Sequence, residues 1–186
     1  MAITTNDLRN GITLALDGNL FQVVDFQHVK PGKGHAFVRT TLRNVRSGAV
    51  LERTFRAGEK VEQARMSKRQ MQYLYRDGED YVFMDTSSYE QLPVSGQTLA
   101  TAANFLVEGS EVVLQMHGDE IIGVDLPAAV ELAITQTDPG VQGDRVSGAR
   151  KPATLETGFQ VQVPLFVNPG DRIKVDTRSG EYLSRA

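Results

Sequence analysis

The chain has 186 residues, 40% hydrophobic and 23% charged, enough for one core of ordinary size or two to three small barrels, and too apolar for a disordered chain. It contains no cysteine, which excludes disulfide staples and thiolate metal sites, and it has no run of about 20 apolar residues, the length a membrane-spanning helix needs. The net charge of -3 does not suit a protein that coats DNA through charge alone.

That charge is unevenly spread. Residues 1–64 carry nine Lys/Arg against six Asp/Glu, residues 65–127 carry four against ten, and residues 128–186 carry seven of each. The pattern fits an N-terminal part that touches a polyanion and a middle part kept off phosphates or turned toward a basic protein. The opening Met1-Ala2-Ile3-Thr4-Thr5-Asn6-Asp7 has no basic-then-apolar leader, so a cytoplasmic location away from membranes is expected.

In chain order, Asn6 to Gly11 reads as a loop or single turn. Short strands are predicted at Ile12–Leu14, Leu20–Val29, Ala36–Leu42 and Val50–Phe55, with tight turns at Asp17-Gly18 and Ser47-Gly48. Four to five such strands make a small SH3-like barrel over residues 1–64. Arg56 to Lys60 reads as a polar break before its end.

Between the second and third of these strands lies His28-Val29-Lys30-Pro31-Gly32-Lys33-Gly34-His35. Proline presets a turn dihedral and glycine takes positive φ, so this is a hairpin tip. Lys33, flanked by Gly32 and Gly34, is a long amine at the end of a stiff ribbon, able to reach a phosphate or carbonyl away from the protein body. Lys30, Pro31 and His35 complete the tip. His28, Arg39, Arg43, Arg46 and Arg53 surround it as candidate RNA contacts. Arg39 and Arg43, an even number of residues apart, belong on one face of a strand.

Residues 65–127 read as a small barrel of the OB type. Met71–Tyr75 and Tyr81–Asp85 flank the Asp77-Gly78 hairpin turn. Leu99, Ala102, Ala103 and Leu106 recur at helical spacing after Ser95-Gly96, predicting one short helix that packs against a sheet or plugs a barrel end. Val112–Met116 and Glu120–Val124 form a further hairpin. Residues 128–186 read as a second OB-like barrel, with strands at Ala128–Thr135, Phe159–Pro164, Arg172–Asp176 and Glu181–Leu183. Asp138 to Pro152 is too polar and glycine-rich for a core element. In this stretch Arg145, Ser147, Arg150 and Lys151 offer cations and a hydroxyl suited to phosphates.

Enzyme chemistry is not indicated. His28, His35 and His117 lack the spacing of a zinc site, Asp77, Glu79 and Asp80 lack that of a calcium loop, and Ser147 has no placed His and carboxylate partners. No cofactor is expected. The function predicted from the residues alone is binding, to structured or single-stranded RNA.

Several stretches together carry a more specific resemblance. They are Lys30-Pro31-Gly32-Lys33-Gly34, Glu52-Arg53-Thr54-Phe55, Met71-Gln72-Tyr73-Leu74-Tyr75, Tyr81-Val82-Phe83-Met84-Asp85, and Gly143-Asp144-Arg145-Val146-Ser147-Gly148-Ala149-Arg150-Lys151-Pro152-Ala153-Thr154-Leu155 with Val161-Gln162-Val163-Pro164 after it. In this order they resemble the bacterial elongation factor P family over essentially the whole chain. The resemblance implies an SH3-like domain followed by two OB domains in an L-shape. It implies a non-catalytic elongation factor that binds the 70S ribosome beside peptidyl-tRNA, contacts ribosomal RNA and relieves stalls at consecutive prolines. Lys33 matches the position that many members modify, which implies a lysine-modifying enzyme as a further partner. DNA is not an expected partner, and a monomer is expected. The alternative is a general structured-RNA-binding module with a merely solvated tip.

Overall fold

Period-two alternation of apolar and polar side chains builds every sheet of this protein. The computed structural model describes residues 1–140 and 148–186, and the described chain is all-β apart from short helical turns. Among the described residues no helix is long and apolar enough to cross a membrane.

The first sheet contains β1 (Ala2–Thr4), β2 (Thr13–Leu16), β3 (Asn19–Val29), β4 (Phe37–Asn44), β5 (Val50–Arg56) and β6 (Lys60–Gln63), in the order β1-β6-β2-β3-β4-β5. Leu14, Val23, Val38, Leu42 and Phe55 point inward and form its core with Leu8 and Val61. Two strands go beyond the sequence reading. β1 and β6 pair Ala2 with Glu62 and Ile3 with Val61, segments for which the sequence predicts no strand. Thr5 secures this closure: its fully buried hydroxyl accepts from the Gly58 N–H at 2.8 Å and donates to the Arg56 carbonyl at 3.1 Å.

β3 and β4 are paired along most of their length, from Phe21 opposite Asn44 to Val29 opposite Phe37. The register shifts between Val23 and Asp25, a bulge that bends the ribbon and leaves Val24 partly exposed. Past the bulge the two strands continue together to the predicted tip.

The second sheet contains β7 (Ser67–Asp77), β8 (Asp80–Asp85), β9 (Gln91–Ser95), β10 (Glu111–His117) and β11 (Glu120–Asp125), in the order β11-β10-β7-β8-β9. The Asp77-Gly78 turn forms as predicted, with Asp77 opposite Asp80 and Gly78 at φ 62. β9, which the sequence does not predict, contains Pro93 and lies at the sheet edge, where a missing N–H is tolerated. The predicted helix is not continuous. An α-helical turn, Gly96–Leu99, ends at Ala100 with φ 49, and a 3-10 segment, Ala100–Phe105, follows. The left-handed residue interrupts the helical hydrogen-bond ladder and redirects the chain; of the predicted positions Leu99 and Leu106 are buried, and Phe105, outside the helical pattern, is buried with them.

The third sheet contains β12 (Ala129–Thr137), β13 (Arg150–Leu155), β14 (Gln160–Pro164), β15 (Arg172–Asp176) and β16 (Tyr182–Arg185), in the order β14-β13-β12-β15-β16. Its core unites Leu132, Ile134, Leu155, Val163 and Ile173 with Phe105 from the 3-10 segment. The sequence reading of Asp138 to Pro152 as a purely polar stretch is corrected here. Its last three residues open β13, and the inward row Lys151, Ala153, Leu155 is buried. By contact density the chain divides into two compact units, residues 1–69 with 115–123, and residues 70–114 with 124–186. In the first unit Leu20, Ala64 and Ile122 form a small buried cluster of their own.

Candidate nucleic-acid interface

The tip occupies residues 30–36, between the Val29–Phe37 pair that closes the β3–β4 ribbon. Gly34 reverses the chain at φ 110, a conformation that L side chains rarely adopt. Lys30, Pro31, Gly32, Lys33, Gly34 and His35 are all exposed. Lys33 makes no hydrogen bond or ion pair within the described residues, so its ammonium faces solvent from the end of a supported ribbon. At the root of the tip, exposed His28 stands edge-on to Phe26, with ring centroids 5.7 Å apart at an interplanar angle of 89°.

The arginines divide into two groups. Arg39 and Arg43 alternate with the buried Val38, Thr40 and Leu42, and both are exposed on the outer face of β4. Across the ladders Arg39 lies opposite Gln27 and Thr54, and Arg43 opposite Gln22 and Val50; no acid is directly opposite either, and Asp25 and Glu52 flank Thr41 diagonally between them.

Arg46 and Arg53 are engaged. Arg46 donates from Nε at 2.9 Å and Nη2 at 2.8 Å to the two oxygens of Glu120, a bidentate fork. The fork raises the Arg46 pKa and holds the Glu120 carboxyl below the usual carboxylate range, against the opposing pull of desolvation. Arg53 donates to Asp17 at 2.8 Å and lies 5.3 Å from the centre of the Phe55 ring. These acids escaped the sequence reading because they stand 74 and 36 residues from their arginines; no local spacing announces such a pair.

In the third sheet the two described cations of the predicted loop also separate. Arg150 is exposed at the start of β13, opposite Pro164. Lys151 is only 6% exposed, and its Nζ donates to the Asp138 carbonyl at 2.5 Å. Thr137 donates to the Pro152 carbonyl at 2.9 Å beside it, so described residues on the two sides of the predicted loop are tied together. The alternation with Ala153 and Leu155 was the signal for Lys151 burial; the adjacent Arg150 and Pro152 obscured it. Arg145 and Ser147 lie outside the described residues. Among the described residues no three His, Cys, Asp or Glu side chains are grouped to hold a metal ion.

Comparison with known proteins adds three family matches that together run along the chain. Residues 4–61 match the elongation factor P KOW-like domain, residues 66–124 the elongation factor P OB domain, and residues 130–185 the elongation factor P C-terminal domain. Elongation factor P of Acidothermus cellulolyticus is 61% identical over 183 residues, covering 98% of each chain. That of Maridesulfovibrio salexigens is 58% identical with the same coverage. Among solved structures, eukaryotic translation initiation factor 5A from Methanococcus jannaschii is similar at 25% identity and a TM-score of 0.55, over 68% of this chain and 92% of that one. An initiation factor 5A family protein from Naegleria fowleri, at 16% identity and a TM-score of 0.54 over 68% of this chain and 98% of its own, shares the fold.

Proposed function

The chain belongs to the elongation factor P family, and on that premise we propose that it binds the ribosome beside peptidyl-tRNA and speeds peptide-bond formation where prolines follow one another. The carrying observation is the exposed Lys33, without a partner among the described residues, at the end of the β3–β4 ribbon. Proline is a slow partner in peptide transfer because its ring restricts the backbone. An amine placed against the CCA end of peptidyl-tRNA holds the reacting groups in a productive pose, and such positioning lowers a barrier without any covalent step by the factor. A lysine-modifying enzyme that lengthens Lys33 would extend this reach.

In this reading residues 1–64 form an SH3-like module and residues 65–127 and 128–186 two OB modules. The exposed Lys30, Arg39, Arg43 and Arg150 supply affinity for tRNA and ribosomal RNA phosphates, with His28 and His35 beside the tip and Arg145 and Ser147 contributing from the third module. Arg46, Arg53 and Lys151 hold the scaffold that presents them. The test is direct: added to ribosomes stalled at consecutive prolines, the protein is expected to accelerate bond formation. A general RNA-binding module would leave that rate unchanged and bind free structured RNA equally well.

The two groups of arginines predict different salt behaviour. Arg43→Ala is expected to weaken ribosome binding and flatten the log–log salt dependence by about 0.7 to 0.9, the loss of one phosphate contact. Arg46→Ala, which breaks a solvent-exposed ion pair, is expected to leave the slope alone and destabilise the protein by about 0.2–1 kcal/mol. Equal slope changes in the two variants would contradict the division.

A further inference from the structure

Two observations within the second unit converge on a surface that the proposed function does not use. Tyr89, in the turn between β8 and β9, has φ 61, and the residue is 72% exposed. The left-handed region is unfavourable for a bulky L-residue, whereas glycine or asparagine would enter it readily. The turn is nonetheless firmly built: the Asp85 Oδ1 accepts the N–H groups of Ser87 at 2.8 Å and Ser88 at 3.0 Å, and the Asp85 carbonyl accepts from Tyr89 at 2.9 Å. A strained backbone thus fixes an aromatic ring in solvent, where it adds nothing to the core.

Thr86, the first residue of that turn, also lines a groove of about 510 Å³ with Met71, Val112, Leu126, Glu111 and Asp125. Its surface is mixed, apolar at Met71, Val112 and Leu126 and carboxylate-bearing at Glu111 and Asp125. Residues 70–114 of this unit carry seven acids and one base, a field that repels phosphates and attracts cationic protein. We propose that the Tyr89 turn and this groove dock a basic protein segment on the ribosome, an Arg or Lys lying over the Tyr89 ring and its neighbours along the groove. Cations favour the face of an exposed aromatic ring, and an RNA strand would meet the wrong sign of charge. The inference rests on the ribosome-binding reading above, which binding of the wild-type protein tests independently.

The experiment replaces Tyr89 with photoreactive benzoylphenylalanine in the full chain and irradiates it on ribosomes stalled at consecutive prolines. The expected adduct is with a ribosomal protein, within a Lys/Arg-rich segment. An adduct with ribosomal RNA, or a yield no higher than from the same probe at exposed Gln97, overturns the proposal. In parallel, Tyr89→Gly is expected to raise or preserve Tm while weakening ribosome binding about five- to tenfold, and Tyr89→Phe to stay within about twofold of wild type. Unchanged affinity of Tyr89→Gly would equally overturn it.

Discussion

Lys33→Ala is expected to abolish the acceleration of proline–proline bond formation while leaving the factor folded and able to reach the ribosome. Lys33 lies outside every core cluster, and its side chain has no partner among the described residues, so truncating it removes no packing. The hairpin is held by the β3–β4 ladder, Gly34 and Pro31 rather than by the amine. Binding should lose at most one cation's share of the salt dependence, about 0.7 to 0.9 in slope. The rate effect is different in kind, because only an interaction made in the reacting arrangement changes the rate at saturation. A fall of at least about tenfold at saturating factor, corresponding to ~1.4 kcal/mol, is therefore expected. Single-turnover peptidyl transfer on stalled ribosomes measures it, and undiminished acceleration would remove Lys33 from the mechanism.

The largest structural effect is expected at Phe105. This ring is 3% exposed and completes the core of the third sheet, packing with Leu132, Ile134 and Val175. It also meets Phe159 at a centroid distance of 5.3 Å and 66°, an edge arrangement that adds to simple burial. Next to it, Thr157 donates to the Asn104 carbonyl at 2.6 Å, so the surrounding backbone is anchored and cannot collapse freely into a void. Phe105→Ala is accordingly expected to cost about 3–5 kcal/mol. Hydrogen exchange localises the loss: amides of β12 and β15 should lose protection while those of β3 and β4 keep theirs. A cost below about 1 kcal/mol would mean that the third sheet closes its core without this residue.

That expectation was not available from periodicity. Leu99, Ala102, Ala103 and Leu106 have helical spacing, yet Ala100 adopts φ 49 and the segment continues as a 3-10 turn. What overrides the pattern is the burial of one large ring in a core whose other members begin at Leu132. The same contrast appears in the charges. The spacing of Arg39 and Arg43 correctly implies one exposed face, but nothing near Arg46 or Arg53 in sequence points to Glu120 or Asp17.

The amino-acid order alone was sufficient for the β-rich class, the Asp77-Gly78 hairpin, the β3–β4 ribbon and the exposed lysine at its tip. Each depends on dihedral preferences or period-two alternation within a few residues, and those act before any distant contact forms. Tertiary structure alone decided that β1 pairs with β6, that Phe105 enters the third core, that Lys151 turns inward, and that Arg46 and Arg53 form ion pairs. These outcomes depend on groups brought together from distant parts of the chain, where burial and charge pairing outweigh local preference.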